Sequence, residues 1–377
     1  MPDPFLLTPG PLTTSATVKE AMLHDWGSRD TAFIAMNRRV RERVVELAGA
    51  MDTHVCVPVQ GSGTFAVEAA IGTLLPRTGK LLVLVNGAYG RRMVQIARVM
   101  GRACVQIETP EDTPVSPEEL DRALAADRAI GHVAVVHCET TSGLLNPLQA
   151  VAEVCARHGR KLLIDAMSAF GALPLDARAT PFDAVMASAN KCLEGVPGVG
   201  FVVVRRESLE AAEGNAHSLS LDLFAQWRGF EQNGQWRFTP PTHVVAAFER
   251  ALDEHAAEGG VAGRGARYRR NMQILLEGMA AHGFESLLPP ALQAPIIVTF
   301  HMPADPRFVF ERFYEGLRRR GYVIYPGKLT VADSFRIGCI GRLGEAEMHG
   351  AVAAVGEVLA ELGVRSGAPR KAEGMVA

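Results

Sequence analysis

The chain has 377 residues, of which 48% are hydrophobic and 21% charged, and its formal net charge is -2. This length and apolar content can form a core larger than one small domain needs, which suggests two domains. Nucleic-acid binding is disfavoured, because the sequence has no stripe of lysine and arginine with interleaved aromatic residues. It also shows no basic leader and no apolar stretch of membrane-spanning length, so we expect a cytoplasmic protein without a membrane partner.

The first two thirds of the chain predict an α/β fold. Short apolar runs typical of strands alternate with helical patterns, which implies a mostly parallel sheet that binds ligands at the carboxyl edge of its strands. One helix start is clear, because Ser116 can cap a helix whose first residue is Pro117 and whose third is Glu119. That helix is predicted to run to about residue 125. The predicted strands lie at residues 81–85, 103–107, 132–137, 161–166, 184–188 and 200–205.

The pattern changes after residue 242. A long helix to about residue 257 precedes a glycine-rich break at 258–265, which we interpret as the hinge to a smaller domain, and a second helix follows to about residue 281. Further strands and helices are predicted at 296–300, 334–338, 306–320 and 344–362. The predicted division is a large α/β domain at 16–258, a small α+β domain at 1–15 and 259–364, and a disordered tail at 365–377.

Lys191 lies in the most informative run of the sequence. Residues 188–198 read Ser-Ala-Asn-Lys-Cys-Leu-Glu-Gly-Val-Pro-Gly and follow the apolar strand predicted at 184–188. A lysine in a short turn after a buried strand loses its proton more easily than a solvated one and can attack a carbonyl carbon. This chemistry suggests a Schiff base with pyridoxal phosphate. The alternative is a surface lysine before a Pro-Gly turn.

Asp165 ends the strand predicted at 161–166. A carboxylate at the end of an apolar strand is unfavourable unless a cation faces it, and a pyridinium nitrogen is such a cation. Asp165 could therefore hold the cofactor ring in its protonated form. The alternative roles are a helix cap or a metal ligand.

A phosphate cup is predicted at residues 60–65, Gln-Gly-Ser-Gly-Thr-Phe, just before a helical pattern. The N–H groups of Gly63 and Thr64 at the helix start, with the Ser62 and Thr64 hydroxyls, can bind an anion. The full glycine patterns of nucleotide-binding loops are absent, which favours a single phosphate group. A strand-to-helix turn without any ligand is the alternative.

The order of these motifs is similar to that of fold-type I pyridoxal-phosphate enzymes, and the chain resembles the class V aminotransferases over nearly its whole length. The resemblance implies a large domain around a mostly parallel, seven-stranded sheet and a smaller α+β domain. The residues that carry it are 7–11 (Leu-Thr-Pro-Gly-Pro), 25–30 (Asp-Trp-Gly-Ser-Arg-Asp), 86–90 (Asn-Gly-Ala-Tyr-Gly), 138–147, 188–197 and 238–243 (Phe-Thr-Pro-Pro-Thr-His).

The resemblance also implies roles for individual residues. Lys191 would bond to the cofactor and move a proton between substrate and cofactor carbons, and Asp165 would pair with the pyridine nitrogen. Tyr89 would stack on the cofactor ring, unless it only packs on the core. The remaining cofactor contacts implied are Ser62, Gly63, Thr64 and Asn190 at the phosphate, Ser142 through its hydroxyl, and Thr239, which would reach the phosphate of the neighbouring subunit in a homodimer with shared active sites.

Arg336 is the expected anchor for the acid group of the substrate. It lies in a strand-like segment, and an arginine fork binds a carboxylate or phosphonate through two parallel hydrogen bonds. Arg29, with Ser28 beside it, is the weaker candidate for the extra charge of a phosphonate. The alternative for Arg336 is a solvated position on an edge strand.

Two positions depart from the family pattern. Ser142 stands where relatives lead us to expect threonine, an exchange that keeps the hydroxyl and loses a methyl group. Trp236 stands where more distant relatives carry tyrosine, so one phosphate contact is in doubt.

The resemblance implies an enzyme of phosphonate catabolism that transfers the amino group of 2-aminoethylphosphonate to pyruvate, giving phosphonoacetaldehyde and L-alanine. An alanine or serine donor with glyoxylate is the alternative within the family, because it shares every cofactor residue. A lyase or desulfurase would need a nucleophilic cysteine on a mobile loop, and Cys339 is poorly suited to that role. We expect all six cysteines to be structural thiols and the eleven scattered histidines to form no metal site.

Overall fold

A seven-stranded sheet forms the centre of the protein in this computed structural model, which describes residues 3–329 and 332–370. The strands are β1 (Phe5–Leu6), β2 (His54–Gln60), β3 (Lys80–Val85), β4 (Ala103–Glu108), β5 (Ile130–Val136), β6 (Cys138–Glu139), β7 (Leu144–Leu145), β8 (Lys161–Asp165), β9 (Ala184–Ser188), β10 (Val199–Arg205), β11 (Ile297–His301), β12 (Tyr322–Val323), β13 (Tyr325–Pro326) and β14 (Ser334–Gly338).

Helices connect most of these strands. They are α1 (Ala16–Glu20), α2 (Thr31–Leu47), α3 (Gly63–Leu74), α4 (Ala88–Val99), α5 (Pro117–Ala126), α6 (Leu148–Arg157), α7 (Arg206–Glu210), α8 (Leu223–Asn233), α9 (Thr242–Ala257), α10 (Gly260–Ala281), α11 (Phe310–Arg319) and α12 (Glu345–Leu362), with a 3-10 turn at Ala21–Leu23. Within the described part of the chain, none of them has both the length and the hydropathy to span a bilayer.

The central sheet has the strand order β2-β10-β9-β8-β5-β3-β4. β10 is the one strand of this sheet that runs opposite to the other six, so the predicted α/β fold with a mostly parallel sheet is confirmed. The six predicted strands correspond to β3, β4, β5, β8, β9 and β10 within two residues at each end. β2 is an addition to them. It contains Pro58, which is tolerated because β2 lies at the sheet edge and pairs only with β10.

Alternating side chains of the sheet enter two apolar layers. Val133 and Val135 of β5 belong to the layer that contains buried residues of α2, α5, α6 and α9. Ala134 and Val136 belong to the opposite layer, with buried residues of α3, α4 and α8. This two-residue period is the geometry of a strand that is buried on both faces. The sheet therefore holds its strand ends in fixed positions along one edge.

A third apolar core lies around the C-terminal elements. β11, β14 and β13 form an antiparallel sheet, and α10, α11 and α12 contribute Leu275, Phe313 and Val355 to the core beside it. Leu7, which directly follows β1, is buried in the same core, and β1 pairs with β12. The domain boundaries at residues 15 and 258 stay a prediction.

The glycine-rich break predicted at 258–265 is wrong in its length, because the interruption between α9 and α10 is shorter. α10 begins at Gly260, so Gly263 and Gly265 lie inside the helix. Only Gly259 and Gly260 in this run have positive φ, at 98° and 66°. A Cβ atom at Gly265 would lie 2.4 Å from the Ala172 carbonyl oxygen, so this glycine permits close packing of the helix instead of ending it.

Two further boundaries differ from the prediction. The helix expected from residue 306 begins at Phe310, because Asp305 holds a turn by accepting hydrogen bonds from the backbone N–H groups of Arg307 and Phe308. The disordered tail expected from residue 365 is contradicted for the described residues of that range, since Gly367 N donates to the His282 carbonyl at 2.8 Å. Residues 371–377 lie outside the described residues.

Candidate active site

A cavity of about 530 Å³ lies at the carboxyl edge of the central sheet. The carboxyl ends of parallel strands meet at one edge, and loops after them carry binding groups. β2 ends beside the cup sequence, β8 ends at Asp165, and Lys191 follows β9. The predicted residues that line the cavity are Ser62, Gly63, Thr64, Tyr89, Asn190 and Lys191.

Lys191 is half-buried in this cavity, and burial lowers the pKa of its ammonium group. Its Nζ donates a hydrogen bond to the carbonyl of Pro9. Gly10 packs directly on the lysine: a Cβ atom at Gly10 would lie 2.7 Å from Lys191 Cδ, and Gly10 has a φ of +112°. The N-terminal segment is thus part of the site, which explains why a glycine is needed there.

Asp165 is 5% exposed, and burial raises the pKa of its carboxyl group to about 6. Its Oδ1 accepts a hydrogen bond from the backbone N–H of Met167 at 3.0 Å. A small hollow of about 30 Å³ is lined by Asp165 together with Gly63, Thr64 and Tyr89, which also line the main cavity. The carboxylate therefore faces the space between the cup and the aromatic ring, where a cation would stabilise its ionised form.

The cup lies at the N-terminus of α3. Ser62 is the N-cap residue, and its hydroxyl makes no capping hydrogen bond of its own. A Cβ atom at Gly63 would lie 2.2 Å from Met167 Sδ, so any larger residue would require the Met167 side chain to move. Free N–H groups at a helix start, next to an unused hydroxyl, form a binding site for an anion.

Arg92 is a site residue that the motifs did not identify. It lines the cavity, its Nη1 donates to Thr64 Oγ1 at 3.1 Å, and its guanidinium lies 4.9 Å from the Tyr89 ring centroid. The available signal was its spacing: residues three apart share a helix face, so a helix beginning near Tyr89 places Arg92 beside that ring. Arg92 brings a positive charge to the cup.

Arg336 lies in β14 and is buried, which contradicts the alternative of a solvated edge-strand arginine. Its Nε donates to the Pro326 carbonyl at 3.1 Å, and its Nη1 donates to the Thr140 carbonyl at 2.9 Å. Two backbone contacts thus fix the guanidinium. Burial lowers the pKa of the Arg336 guanidinium, and the negative charge of a Tyr89 phenolate would raise it. Arg336 therefore lies within electrostatic range of Tyr89.

Glu139 holds the start of α4. Gly87, the N-cap of that helix, has no side chain to cap it, and the Glu139 carboxylate accepts instead from the N–H groups of Tyr89 and Gly90 at 3.2 and 3.4 Å. Burial raises the pKa of Glu139. Glu139 therefore fixes the backbone of Tyr89.

Ser142 is fully buried, and its hydroxyl has no hydrogen-bond partner among the described residues. The same is true of Ser188 Oγ, which lines the cavity beside Lys191. Buried hydroxyls normally have partners, so these two could serve a ligand. Ser142 itself does not line the cavity.

Comparison with known proteins decides the family. The profile described as Aminotransferase class-V matches residues 14–306. The chain belongs to the class V aminotransferase family.

The 2-aminoethylphosphonate–pyruvate transaminase 2 of Burkholderia lata is 58% identical over 363 residues, 96% of each chain, and the 2-aminoethylphosphonate–pyruvate transaminase of Cupriavidus necator is 56% identical over 97% of each. Among solved structures, alanine–glyoxylate aminotransferase of Nostoc sp. matches with a TM-score of 0.89 at 25% identity, over 95% of this chain and 96% of that one. The predicted fold type I is confirmed.

Three predicted residues of this class V aminotransferase lie apart from Lys191 within one chain. Ser28, Arg29 and Thr239 line a separate hollow of about 370 Å³. A third hollow, of about 430 Å³, contains both Thr239 and Gly61 of the cup sequence and so joins the two regions. The single chain therefore does not bring Arg29 or Ser28 into the cavity that contains Lys191.

Trp236 is engaged elsewhere. Its indole N–H donates to Asn37 Oδ1 at 3.1 Å, and its ring packs edge-on against Phe230. Within one chain, Trp236 therefore makes packing contacts and does not supply the phosphate contact expected of a tyrosine hydroxyl at this position.

Cys192 makes a poor nucleophile although it follows Lys191. Its thiol donates to the Ser168 carbonyl at 3.2 Å, and burial raises its pKa to about 12. The thiolate needed for nucleophilic attack is therefore scarce at neutral pH.

Proposed function

We propose that this class V aminotransferase transfers the amino group of 2-aminoethylphosphonate to pyruvate, giving phosphonoacetaldehyde and L-alanine, with pyridoxal phosphate as cofactor. One observation carries the proposal: Lys191, Asp165 and the cup surround one space in a chain 58% identical to the Burkholderia lata transaminase. The reaction is a step of phosphonate catabolism.

The residues present fit pyridoxal phosphate. Its phosphate would lie at the N-terminus of α3, held by Ser62, Gly63 and Thr64, with Arg92 supplying the countercharge. Its ring nitrogen would pair with Asp165, whose buried carboxylate requires a cation. The other residues that would hold it are Tyr89 against the ring, Asn190 beside the phosphate, and the hydroxyl of Ser142.

The bound cofactor supplies an electron-withdrawing ring that stabilises negative charge on the substrate carbon next to nitrogen. Lys191 supplies the base. Because its pKa is lowered by burial, a larger share of its Nζ is neutral at physiological pH and can accept the proton from that carbon. After this transfer the same Nζ can return the proton. The hydrogen bond to Pro9 limits where Nζ can point.

Arg336 would orient the substrate. Its Nε and Nη1 already donate to the carbonyls of Pro326 and Thr140, so the guanidinium plane is fixed before the substrate arrives. A fixed fork binds a tetrahedral phosphonate or a planar carboxylate with little further loss of side-chain entropy. Both the amino donor and the acceptor pyruvate carry such a group.

We infer a homodimer in which each active site is shared. Thr239 and Arg29 lie in a hollow beside the cup without entering the Lys191 cavity of their own chain. Two exposed aromatic side chains, Phe65 at 48% and Phe238 at 50%, flank this region and would be covered by a second subunit. Thr239 would then contact the partner's phosphate, and Arg29 and Ser28 would approach the partner's substrate.

Alanine–glyoxylate transamination has less support. The Nostoc structure shares the fold at 25% identity, whereas relatives that are named for 2-aminoethylphosphonate reach 56–58%. We therefore treat it as the competing outcome of the experiment.

The test is a donor and acceptor panel with purified holoenzyme. Alanine formed from pyruvate is measured with 2-aminoethylphosphonate or serine as donor, and glycine formed from glyoxylate is measured with alanine or serine. We expect the phosphonate–pyruvate pair to give the highest kcat/KM. A preference for alanine or serine with glyoxylate would overturn the proposal in favour of the alternative.

A further inference from the structure

The hairpin that carries Arg336 also carries a second cation. Pro326 of β13 lies opposite Phe335 of β14, and the Pro326 carbonyl accepts the hydrogen bond from Arg336 Nε. Lys328 follows two residues after Pro326. Lys328 and Arg336 therefore belong to the same hairpin, and both lie within electrostatic range of Tyr89.

Lys328 also reaches the aromatic wall of the cavity. Its Nζ lies 5.3 Å from the ring centroid of Tyr89, which lines the cavity together with Lys191. Burial is the main cause of the lowered pKa of Lys191, and the charge of Lys328 acts in the same direction. Lys328 is exposed, and across residues 3–329 and 332–370 no carboxylate forms an ion pair with it. Its charge is thus available to a ligand.

The charges around Tyr89 do not balance without ligands. Arg92 is occupied at the cup, where the cofactor phosphate would lie, and Lys191 is committed to the chemistry. Asp165 faces the cofactor ring. Glu139, the other buried carboxylate near Tyr89, accepts from the backbone N–H groups of Tyr89 and Gly90, and burial disfavours its ionised form, so it offsets these charges only in part. This leaves Arg336 and Lys328 as two cations close to Tyr89, although a carboxylate needs only one. A phosphonate can carry two negative charges.

We propose that Lys328 is a specificity-determining residue, which pairs with the second negative charge of a phosphonate while Arg336 binds the acid group through its fork. This inference rests on the proposed function and names a residue that distinguishes one class of substrate from another. A sulfonate has the same tetrahedral shape but only one negative charge. Lys328 should therefore favour a phosphonate over a sulfonate, whereas Arg336 alone would bind both.

The experiment compares two unreactive probes, ethylphosphonate and ethanesulfonate, by calorimetric titration of the holoenzyme above the second ionisation of the phosphonate. In Lys328→Met we expect the Kd of ethylphosphonate to rise about five- to tenfold, as for loss of a partly solvated charge pair. The Kd of ethanesulfonate should change by less than about twofold. With 2-aminoethylphosphonate as donor, KM should rise by the same factor while kcat changes little.

Two further variants control for structural effects. Lys328→Arg keeps the charge and should retain the preference for ethylphosphonate. Lys161→Met removes a lysine from the start of β8, at the opposite end of that strand from Asp165, and should leave both Kd values unchanged. Equal weakening of both probes in Lys328→Met, or no weakening of either, would overturn the inference.

The two proposals fail differently. If the unmutated enzyme forms no alanine from 2-aminoethylphosphonate and pyruvate, the proposed function fails and the assignment of Lys328 falls with it. If it forms alanine but Lys328→Met binds both probes as before, only the assignment of Lys328 is overturned.

Discussion

At the residue scale, the site contains a carboxylate whose environment suits a ligand better than it suits the free protein. Asp165 is buried, and within the described part of the chain its carboxylate accepts a single hydrogen bond, from the backbone N–H of Met167. Burial raises its pKa to about 6, so the carboxylate is mostly ionised at neutral pH but is less stable than a solvated one until a cation arrives. Binding a cationic ring would therefore recover free energy that the apo-protein lacks.

Asp165→Asn should stabilise the apo-protein at pH 7.5. Because the folded-state pKa, about 6, exceeds the ordinary 3.8, the folded state holds a proton that the unfolded state has lost, and stability falls as pH rises from about 4 to 6. The loss is complete above pH 6, at most about 3 kcal/mol. Urea unfolding of both apo-proteins should show a gap that closes near pH 4. Equal stabilities at pH 7.5 would contradict a raised pKa.

Lys191→Ala should remove the visible absorbance of the purified protein. The unmutated enzyme should absorb in the visible because its cofactor would be bonded to Lys191. The variant should lose this absorbance on dialysis, since only non-covalent contacts remain. Lys161→Ala, which changes a lysine far from the cavity, serves as control. Unchanged absorbance of Lys191→Ala after dialysis would refute the assignment of this lysine.

Some of these residues could be predicted from the sequence and others could not. Lys191 and Asp165 follow apolar strands, and the ends of such strands meet at one edge. Arg92 could have been found from its three-residue spacing to Tyr89. Lys328 could not, because its contact with Tyr89 depends on how the β13–β14 hairpin packs against the central sheet.

At the element scale, a buried ionic network joins α10 to the turn that follows Lys191. Glu194, which has a φ of 57° and donates its N–H to the Lys191 carbonyl at 2.8 Å, accepts hydrogen bonds from Arg267 at 2.7 Å and from the Tyr268 hydroxyl at 2.6 Å. Arg264 donates to Glu258 at 2.7 Å and to the backbone of the turn. A non-glycine residue with positive φ is strained unless its surroundings hold it, and this network does so.

Arg264→Met should destabilise the protein by about 2–3 kcal/mol, because it removes one of the two guanidinium groups that pair with Glu194 and Glu258. Arg267 still pairs with both carboxylates, but the Cys192 carbonyl loses its charged donor. Arg270→Met is the matched control on the same helix. Arg270 pairs with Glu345 at 3.0 Å, but both side chains are about half exposed, so its removal should change the urea midpoint little. Similar shifts for both variants would show that the network adds no more than a surface ion pair.

The elements themselves were predictable where burial is strong. β9 and α9 are predicted at the right residues, because apolar runs and periodicity mark them. The glycines of α10 were wrongly interpreted as a break, because glycine occurs both where a helix is interrupted and where two segments pack closely. Gly265 approaches the Ala172 carbonyl, a contact that only the packed structure reveals.

At the scale of the whole molecule, the location and the assembly stay predictions. All six cysteines are free, which suits a reducing compartment such as the cytoplasm. The hollow with Thr239 and Arg29 is separate from the Lys191 cavity, so one chain alone does not assemble every predicted contact. A shared site would explain this separation, because a neighbouring subunit could supply the contacts that the chain itself does not.

Sharing predicts that two inactive variants restore each other. Lys191→Ala removes the base, and Thr239→Asp places a negative charge at an exposed position that would face the partner's phosphate. In a mixed dimer, the site with Lys191 receives the intact Thr239 of the other subunit. Random mixing makes half the dimers mixed, each with one intact site of two, so activity should recover to about a quarter of the unmutated level.

The measurement is alanine formation after the two variants are unfolded, mixed and refolded together, with each variant refolded alone as control. If Thr239 acts within its own chain, both sites of a mixed dimer stay defective, because one lacks the lysine and the other contains the aspartate. Mixing would then restore nothing. Recovery is therefore expected only when the phosphate site is completed across the interface, and its absence in a confirmed mixed dimer would rule out the shared site.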